Sequence, residues 1–304
     1  RSSDLPLEVI KRDKLGAGKK NVSTIAFSDN SSAIKGYTSN ILFPDPLVIH
    51  GNKDKDGGGD VGSKYSISQR KYNYVLTAET HNFPTAIEPF SGASTGIGGR
   101  LRDVQGTGTG AVPVASSAGY CVGDIFFDSK IDPYMSDYGD YNGVRKGGEG
   151  YARQIKRKGV DKYPPNVYNP RDILIKASNG ASDYGNKFGE PIIVGFTRSF
   201  KYINENNERI EWIKPIMFTS GIGIMNDIHT KKGEVTEGML ICKIGGPVYR
   251  IGIGGGSASS RVSSAGNAVV DTNAVQRADP EMEQRMNRVV RHCVNMESDN
   301  PIVS

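Results

Sequence analysis

Apolar, β-branched and aromatic residues gather along the chain in short runs bounded by turn-forming residues, the pattern of strands. Val22-Ser-Thr-Ile-Ala-Phe27 is the first, closed by the turn-forming Asp29-Asn30, and Leu47-Val-Ile49 is a shorter one. Tyr72 to Ala78, Ser117 to Phe127, Pro191 to Phe196, Ile213 to Phe218 and Met239 to Ile244 continue the series. Asn204 to Arg209 reads as a polar hairpin or loop between two of them, and Pro6 to Lys11 is weakly helical. Two stronger helices carry start signals. Asn169 caps one with Pro170 in its first position, and Gly180 is expected to stop it after about Asn179. Asp279 caps the last, with Pro280, Glu281 and Glu283 in its first turns. Met282, Met286, Val289, Val290 and Cys293 fall at helical spacing and predict its core-facing side. Strands mixed with helices indicate an α/β fold. The charged stretch Lys231 to Gly238 is read as a hinge, giving domains over 1–236 and 237–304. Asn52 to Lys64 and Asp132 to Lys162 read as an exposed loop and an insertion.

The chemistry concentrates after the third run. Extended chain alternates faces, so Glu79 and His81 project from one side where the strand ends, and Pro84 discourages further sheet pairing. The run Ser91-Gly-Ala-Ser-Thr-Gly-Ile-Gly-Gly-Arg-Leu-Arg-Asp103 follows. In a helix each glycine costs about 1 kcal/mol relative to alanine. Close approach of backbone amides to an anion is the expected offset. Arg100 and Arg102 add positive charge, and Asp103 offers a hard oxygen ligand suited to magnesium. The pattern points to a nucleotide phosphate held with a metal ion.

Composition narrows the classes. A chain of 304 residues, 37% apolar and 23% charged, has room for a substantial core, and its 38 glycines exceed the average. A net charge of +5 suits small anions better than nucleic acid, and no RNA-recognition signature occurs. No apolar run is long enough to span a bilayer, so no membrane partner is expected. Cys121, Cys242 and Cys293 are odd in number and set among apolar residues, and are read as reduced core thiols of a cytoplasmic protein. Arg1 stands in place of an initiator methionine, and the last residues stop where a new strand would begin. A fragment is expected.

Other chemistries fit less well. There is no P-loop pattern, and Gly106 to Ala111 imitates a dinucleotide fingerprint without the helix that should follow. Gly252 to Gly256 either binds phosphate or simply turns tightly. A nucleophile elbow is missing, and no His/Cys spacing suits zinc. The aspartates of 52–64 lack the glutamate of an EF-hand, and the basic run Arg153 to Lys158 reads as a solvated face. His50, His229 and His292 have no surroundings like those of His81 and read as structural.

Glu79-Thr-His-Asn-Phe-Pro84 and Gly92-Ala-Ser-Thr-Gly-Ile-Gly-Gly-Arg-Leu-Arg-Asp103 resemble the signature of the phosphoribosylformylglycinamidine synthase family. Further matching stretches are Asp29 to Ile34, Asn179 to Pro191, Lys214 to Met217, Gly245 to Gly256 and Val275 to Gln284. The resemblance implies an aminoimidazole-ribonucleotide-synthetase-like domain, with a mixed sheet and flanking helices, followed by a truncated second α/β domain. It implies magnesium at Glu79 and Asp103 and His81 as proton acceptor. Thr80, Asn82, Phe83, Arg102 and Gln276 would lie at the substrate, formylglycinamide ribonucleotide. ATP would be contacted by Gly92, Ala93, Ser94, Thr95, Gly96, Ile97, Gly98, Gly99, Arg100, Leu101, Arg102 and Asp103. In the family's chemistry ATP activates the formamide oxygen as an iminophosphate, and ammonia from glutamine displaces phosphate to give the amidine.

Phe83 stands where bacterial members often have a second histidine, which places the chain nearer the eukaryotic form. Thr77 replaces a nucleotide-contacting lysine of many bacterial members, so that contact does not carry over. A second synthetase half and a glutaminase domain are implied as partners, and the 304 residues alone are expected to be inactive. A rival reading is a structural half that holds ADP and pairs with the other half without turnover. Aminoimidazole ribonucleotide synthetase itself fits less well, because of the Asn179–Pro191 and Gln276–Gln284 matches.

Overall fold

The computed structural model describes residues 22–26, 28–44, 65–125, 163–164, 166–206, 208–261 and 265–304. The strands are β1 (Ser23–Ile25), β2 (Ser32–Ile34), β3 (Thr38–Pro44), β4 (Tyr65–Thr80), β5 (Val112–Val122), β6 (Ile192–Ser199), β7 (Lys201–Ile203), β8 (Arg209–Glu211) and β9 (Ile216–Asn226). β7 and β8 form the small hairpin expected near Asn204. The other seven make one mixed sheet in the order β1-β2-β4-β9-β5-β6, with β3 on the outer half of β4. β5 and β6 are parallel, and the remaining pairs are antiparallel.

The period-2 pattern of β9 shows how the sheet is used. Met217, Thr219, Gly221, Gly223 and Met225 are buried, while the residues between them are exposed or half-buried. On the buried side lie α2 (Pro89–Gln105) and α3 (Pro170–Phe188). Ala93, Ile97, Leu101, Ala177, Ala181, Tyr184 and Phe188 from these helices pack with Ala118, Tyr120 and Met217 of the sheet. The opposite side is open. It exposes Tyr74, Leu76, Val194, Phe196 and Ile222, and a shallow depression of about 490 Å³ is lined there by Leu76, Ser117, Val194 and Ser220 among others.

α1 (Asn82–Ile87) turns the chain from the end of β4 into α2, and its Phe83, Ala86 and Ile87 join a core with Ala258, Ala274 and Val275. The glycines of α2 have a different use from the one expected. Its mid-helix amides are consumed by the helix's own hydrogen bonds, so they cannot cradle an anion. The glycines instead let neighbours come close. A Cβ at Gly92 would sit 2.4 Å from the Pro84 carbonyl carbon, and one at Gly98 would sit 2.7 Å from the Tyr184 hydroxyl. Gly180 does the same in α3, where a Cβ would fall 2.1 Å from the Phe90 carbonyl oxygen. The expected stop at Gly180 is therefore wrong. α3 continues to Phe188 and ends at Gly189, whose φ of +90° favours glycine.

The remaining helices are α4 (Gly255–Ser259), α5 (Ala268–Ala274) and α6 (Pro280–Asn295). The Asn169 and Asp279 caps form as expected, through Asp172 N and Met282 N. Met239 to Ile244 form no strand and lie exposed, because nothing among the described residues pairs with them. The expected core face of α6 is also corrected: Met282, Met286, Val290 and Cys293 are half-buried and Val289 is exposed. Its buried residues are Pro280, Glu283, Asn287 and Val294. Of the three cysteines, none of them paired, only Cys121 is a core thiol; Cys242 is exposed and Cys293 is half-buried. β1 and β5 end sooner than predicted, and β4, β6 and β9 run longer. The expected strand at Leu47, the loop at 52–64, the insertion at 132–162, the Pro6 helix and His50 lie outside the described residues.

Candidate active site

β4 pairs with β9 up to Thr80 opposite Phe218, and the chain then leaves the sheet at His81. His81 is fixed from three directions. Its N–H donates to Met217 O at 2.9 Å, its carbonyl accepts from the Thr85 hydroxyl at 2.7 Å, and its ring Nδ1 lies 2.6 Å from Gly92 O. A carbonyl only accepts, so Nδ1 carries the proton and Nε2 keeps a lone pair. Gly96 leaves room for the imidazole, since a Cβ there would approach the His81 Cβ to 3.1 Å. Burial pushes the imidazole below its ordinary pKa, against the opposing pull of the Gly92 bond and the Glu79 charge. It is therefore a neutral ring with one basic nitrogen.

Glu79 pairs across the sheet with Thr219, whose side is the helix-covered one, and reaches Asp103 on α2. When one of them is protonated, the two carboxyls can share a hydrogen bond. Burial, the Glu79 charge and that bond together raise Asp103 from 3.8 to about 6, with Arg102 and Arg100 pulling the other way. Two carboxylates facing one another call for a proton or a cation between them. No cluster of three or more His, Cys, Asp or Glu side chains poised for a metal occurs among the described residues. A pair alone fits magnesium, which takes one or two carboxylates and completes its shell with water and substrate phosphates.

The other predicted residues separate into those that face this site and those that do not. Arg102 has a half-exposed side chain and its charge is felt at both His81 and Asp103, while Gly99 is partly open beside it. Gly92, Ala93, Ser94, Thr95, Gly96, Ile97, Gly98 and Leu101 are buried in helix packing. Arg100 is fully buried in an ion pair with Glu190, and Gly221 opens the space for it. The Phe83 ring is in the core. Asn82 is partly engaged, its Oδ1 accepting from Met217 N at 3.0 Å. Strand alternation turns Thr80 away from Glu79 to the open side. Gln276 is exposed, and its carbonyl accepts from the Thr95 hydroxyl at 3.2 Å.

Sequence reading missed the residues that brace this set. Glu190 neutralises Arg100 beneath α2, and Glu283 accepts from Arg102 at 2.7 Å and from the Tyr184 hydroxyl. The available signal was the polar pair Glu283 and Asn287, four apart on a helix and therefore on one face. His229 is structural as expected. Its Nε2 donates to Val294 O at 3.0 Å, which leaves Nδ1 to accept from the Thr109 hydroxyl at 2.9 Å.

Residues 60–158 match the family described as AIR synthase related protein, N-terminal domain. Over nearly its whole length the chain is similar to phosphoribosylformylglycinamidine synthases. The Dictyostelium discoideum enzyme is 47% identical over 99% of this chain and 20% of its own length. The Homo sapiens enzyme is 46% identical over 93% of this chain and 19% of its own. The chain thus spans about a fifth of the length of the curated relatives it matches. Among solved structures, Thermotoga maritima PurL complexed with FGAR aligns at 22% identity with a TM-score of 0.45, covering 73% of this chain and 27% of that one.

Proposed function

We propose that the chain is a segment of the synthetase region of an ATP- and glutamine-dependent ligase of purine biosynthesis, which converts formylglycinamide ribonucleotide to formylglycinamidine ribonucleotide. The observation that carries this reading is the meeting of Glu79, Asp103 and a neutral, oriented His81 at one sheet end. The similarity to phosphoribosylformylglycinamidine synthases over nearly the whole chain supports it.

In this reading Glu79 and Asp103 hold magnesium, which when bound neutralises charge on the transferring phosphoryl group. The Arg102 guanidinium, half-exposed beside them, takes an anionic group of the ribonucleotide or of ATP. His81 accepts a proton at Nε2 from the nitrogen that attacks the activated formamide carbon, as phosphate leaves. The neutral state of the ring at pH 7 suits that task, and the Gly92 carbonyl holds the tautomer. Burial of Phe83, Arg100 and most of 92–101 leaves the Gly99 backbone and the side chains of Arg102 and Asp103 as the groups of 92–103 open to ligands.

The open sheet side is the docking surface we assign to the second synthetase half, with the glutaminase further along the parent chain. Its apolar character and the large share of the relatives lying beyond this chain support that assignment. A cytoplasmic setting is proposed with it, supported by three unpaired cysteines. No helix among the described residues is long and apolar enough to cross a membrane.

The test is amidine formation by the full-length protein and its His81→Ala variant. Loss of about 10²–10⁴ in turnover is expected for a general base. Near-normal turnover would refute the role and favour a half that holds ADP without reacting. Residues 1–304 alone should make no amidine from glutamine or ammonia.

A further inference from the structure

Helix α6 turns a polar stripe, not its apolar one, toward α2 and α3. Asn287 Oδ1 accepts from Gln105 at 3.0 Å, and Gln284 donates to the Phe188 carbonyl at 2.5 Å. Glu283 stands at the centre of the stripe, its side chain 7% exposed, and one oxygen accepts from both Arg102 Nη1 and the Tyr184 hydroxyl. Tyr184 is itself fully buried against Gly98. A buried carboxylate is costly unless it is paired and hydrogen-bonded, and Arg102 and Tyr184 supply the pairing and the hydrogen bond here.

Arg102 explains why such a fixture is useful. Its side chain is long and loses much rotamer freedom when held. Two carboxyls, Glu79 and Asp103, lie within reach of its charge or of each other, and an untethered guanidinium would settle on them and occupy the place of a cation. One Arg102 nitrogen is spent on Glu283, and the others have no protein partner among the described residues.

We propose that Glu283 is a positioning residue for Arg102: anchored on Tyr184, it holds the guanidinium clear of Glu79 and Asp103 and presents its remaining N–H groups to an anionic group of the substrate. This rests on the function proposed above. It also gives 265–304 a part in the site, through a residue that touches no ligand.

Steady-state kinetics of the full-length protein, with formylglycinamide ribonucleotide varied, test it in Arg102→Ala, Glu283→Ala and the double variant. Glu283→Ala should raise KM about tenfold with kcat within about twofold, and should add less than about twofold to KM in the Arg102→Ala background. Glu283→Gln keeps an acceptor for Arg102 and should raise KM less; it serves in the same cycle if the alanine variant does not fold. A Glu283 variant that lowers the melting temperature but leaves KM unmoved would overturn the proposal, as would additive effects in the double variant. If Arg102→Ala raises KM and the Glu283 variants do not, the site reading stands and the positioning role falls. If Arg102→Ala itself leaves KM unchanged, both fall.

Discussion

The Nδ1 of His81 donates to the carbonyl oxygen of Gly92 across 2.6 Å, so a bond between a strand end and the first turn of α2 selects the basic nitrogen. Burial holds the ring below its ordinary pKa of 6.5, so it stays neutral until the solution is more acidic than that. The pH–rate profile of the full-length protein should accordingly have the acid limb due to His81 below pH 6.5. A limb due to this residue above pH 7 would contradict the assignment.

Asp103 makes the opposite case. Its folded value of about 6 lies above the unperturbed 3.8, so the unfolded chain gives up this proton first as pH rises. Folding therefore loses stability between about pH 4 and pH 6 and does not regain it above. Asp103→Asn should raise the melting temperature of residues 1–304 at pH 7.5 without divalent ions, with the gain shrinking toward pH 4. The same variant should bind magnesium–ADP more weakly in calorimetric titration. A variant that is less stable at pH 7.5 and binds normally would contradict both statements.

Gly98 and Gly99 should respond oppositely to the same substitution. A Cβ at Gly98 meets the Tyr184 ring at under 3 Å, whereas at Gly99 the nearest neighbour is the tip of Arg102 at 3.7 Å. Gly98→Ala is expected to cost about 1–3 kcal/mol by overpacking. Gly99→Ala should gain up to about 1 kcal/mol in helix propensity. Urea unfolding of both variants measures the difference, and equal effects would show that contact with Tyr184 is not what constrains this helix.

The open side of the sheet should make residues 1–304, taken alone, self-associate. Leu76, Val194 and Ile222 lie together there with over two-fifths of their surface exposed. Val194→Lys with Ile222→Lys should shift light scattering toward a monomer while leaving the far-UV circular dichroism unchanged. A wild-type chain that is monomeric at tens of micromolar would speak against this face as a docking surface.

What could be read from the sequence follows the distance over which each constraint acts. Glu79 and His81 are two residues apart, and the two-residue repeat of a strand is enough to put them on one side. The caps at Asn169 and Asp279 are equally local. Gly180 misleads because its partner, the Phe90 carbonyl, is ninety positions away and offsets the usual cost of a glycine inside a helix. α6 misleads for a similar reason: acceptors for Arg102 and Tyr184 outweigh its methionines in choosing the buried face. Met239 to Ile244 carries a strand pattern with no described partner, and a strand needs one.

The close seating of α2 has a consequence for how proteins of this kind are recognised. Gly92 and Gly98 answer to excluded volume, the Pro84 backbone on one side and the Tyr184 ring on the other, and no ligand enters that requirement. A chain that had lost its chemistry but kept its shape would retain them. The glycine run is thus a diagnostic of architecture, and inheritance of the reaction has to be judged from Glu79, His81, Arg102 and Asp103 one by one.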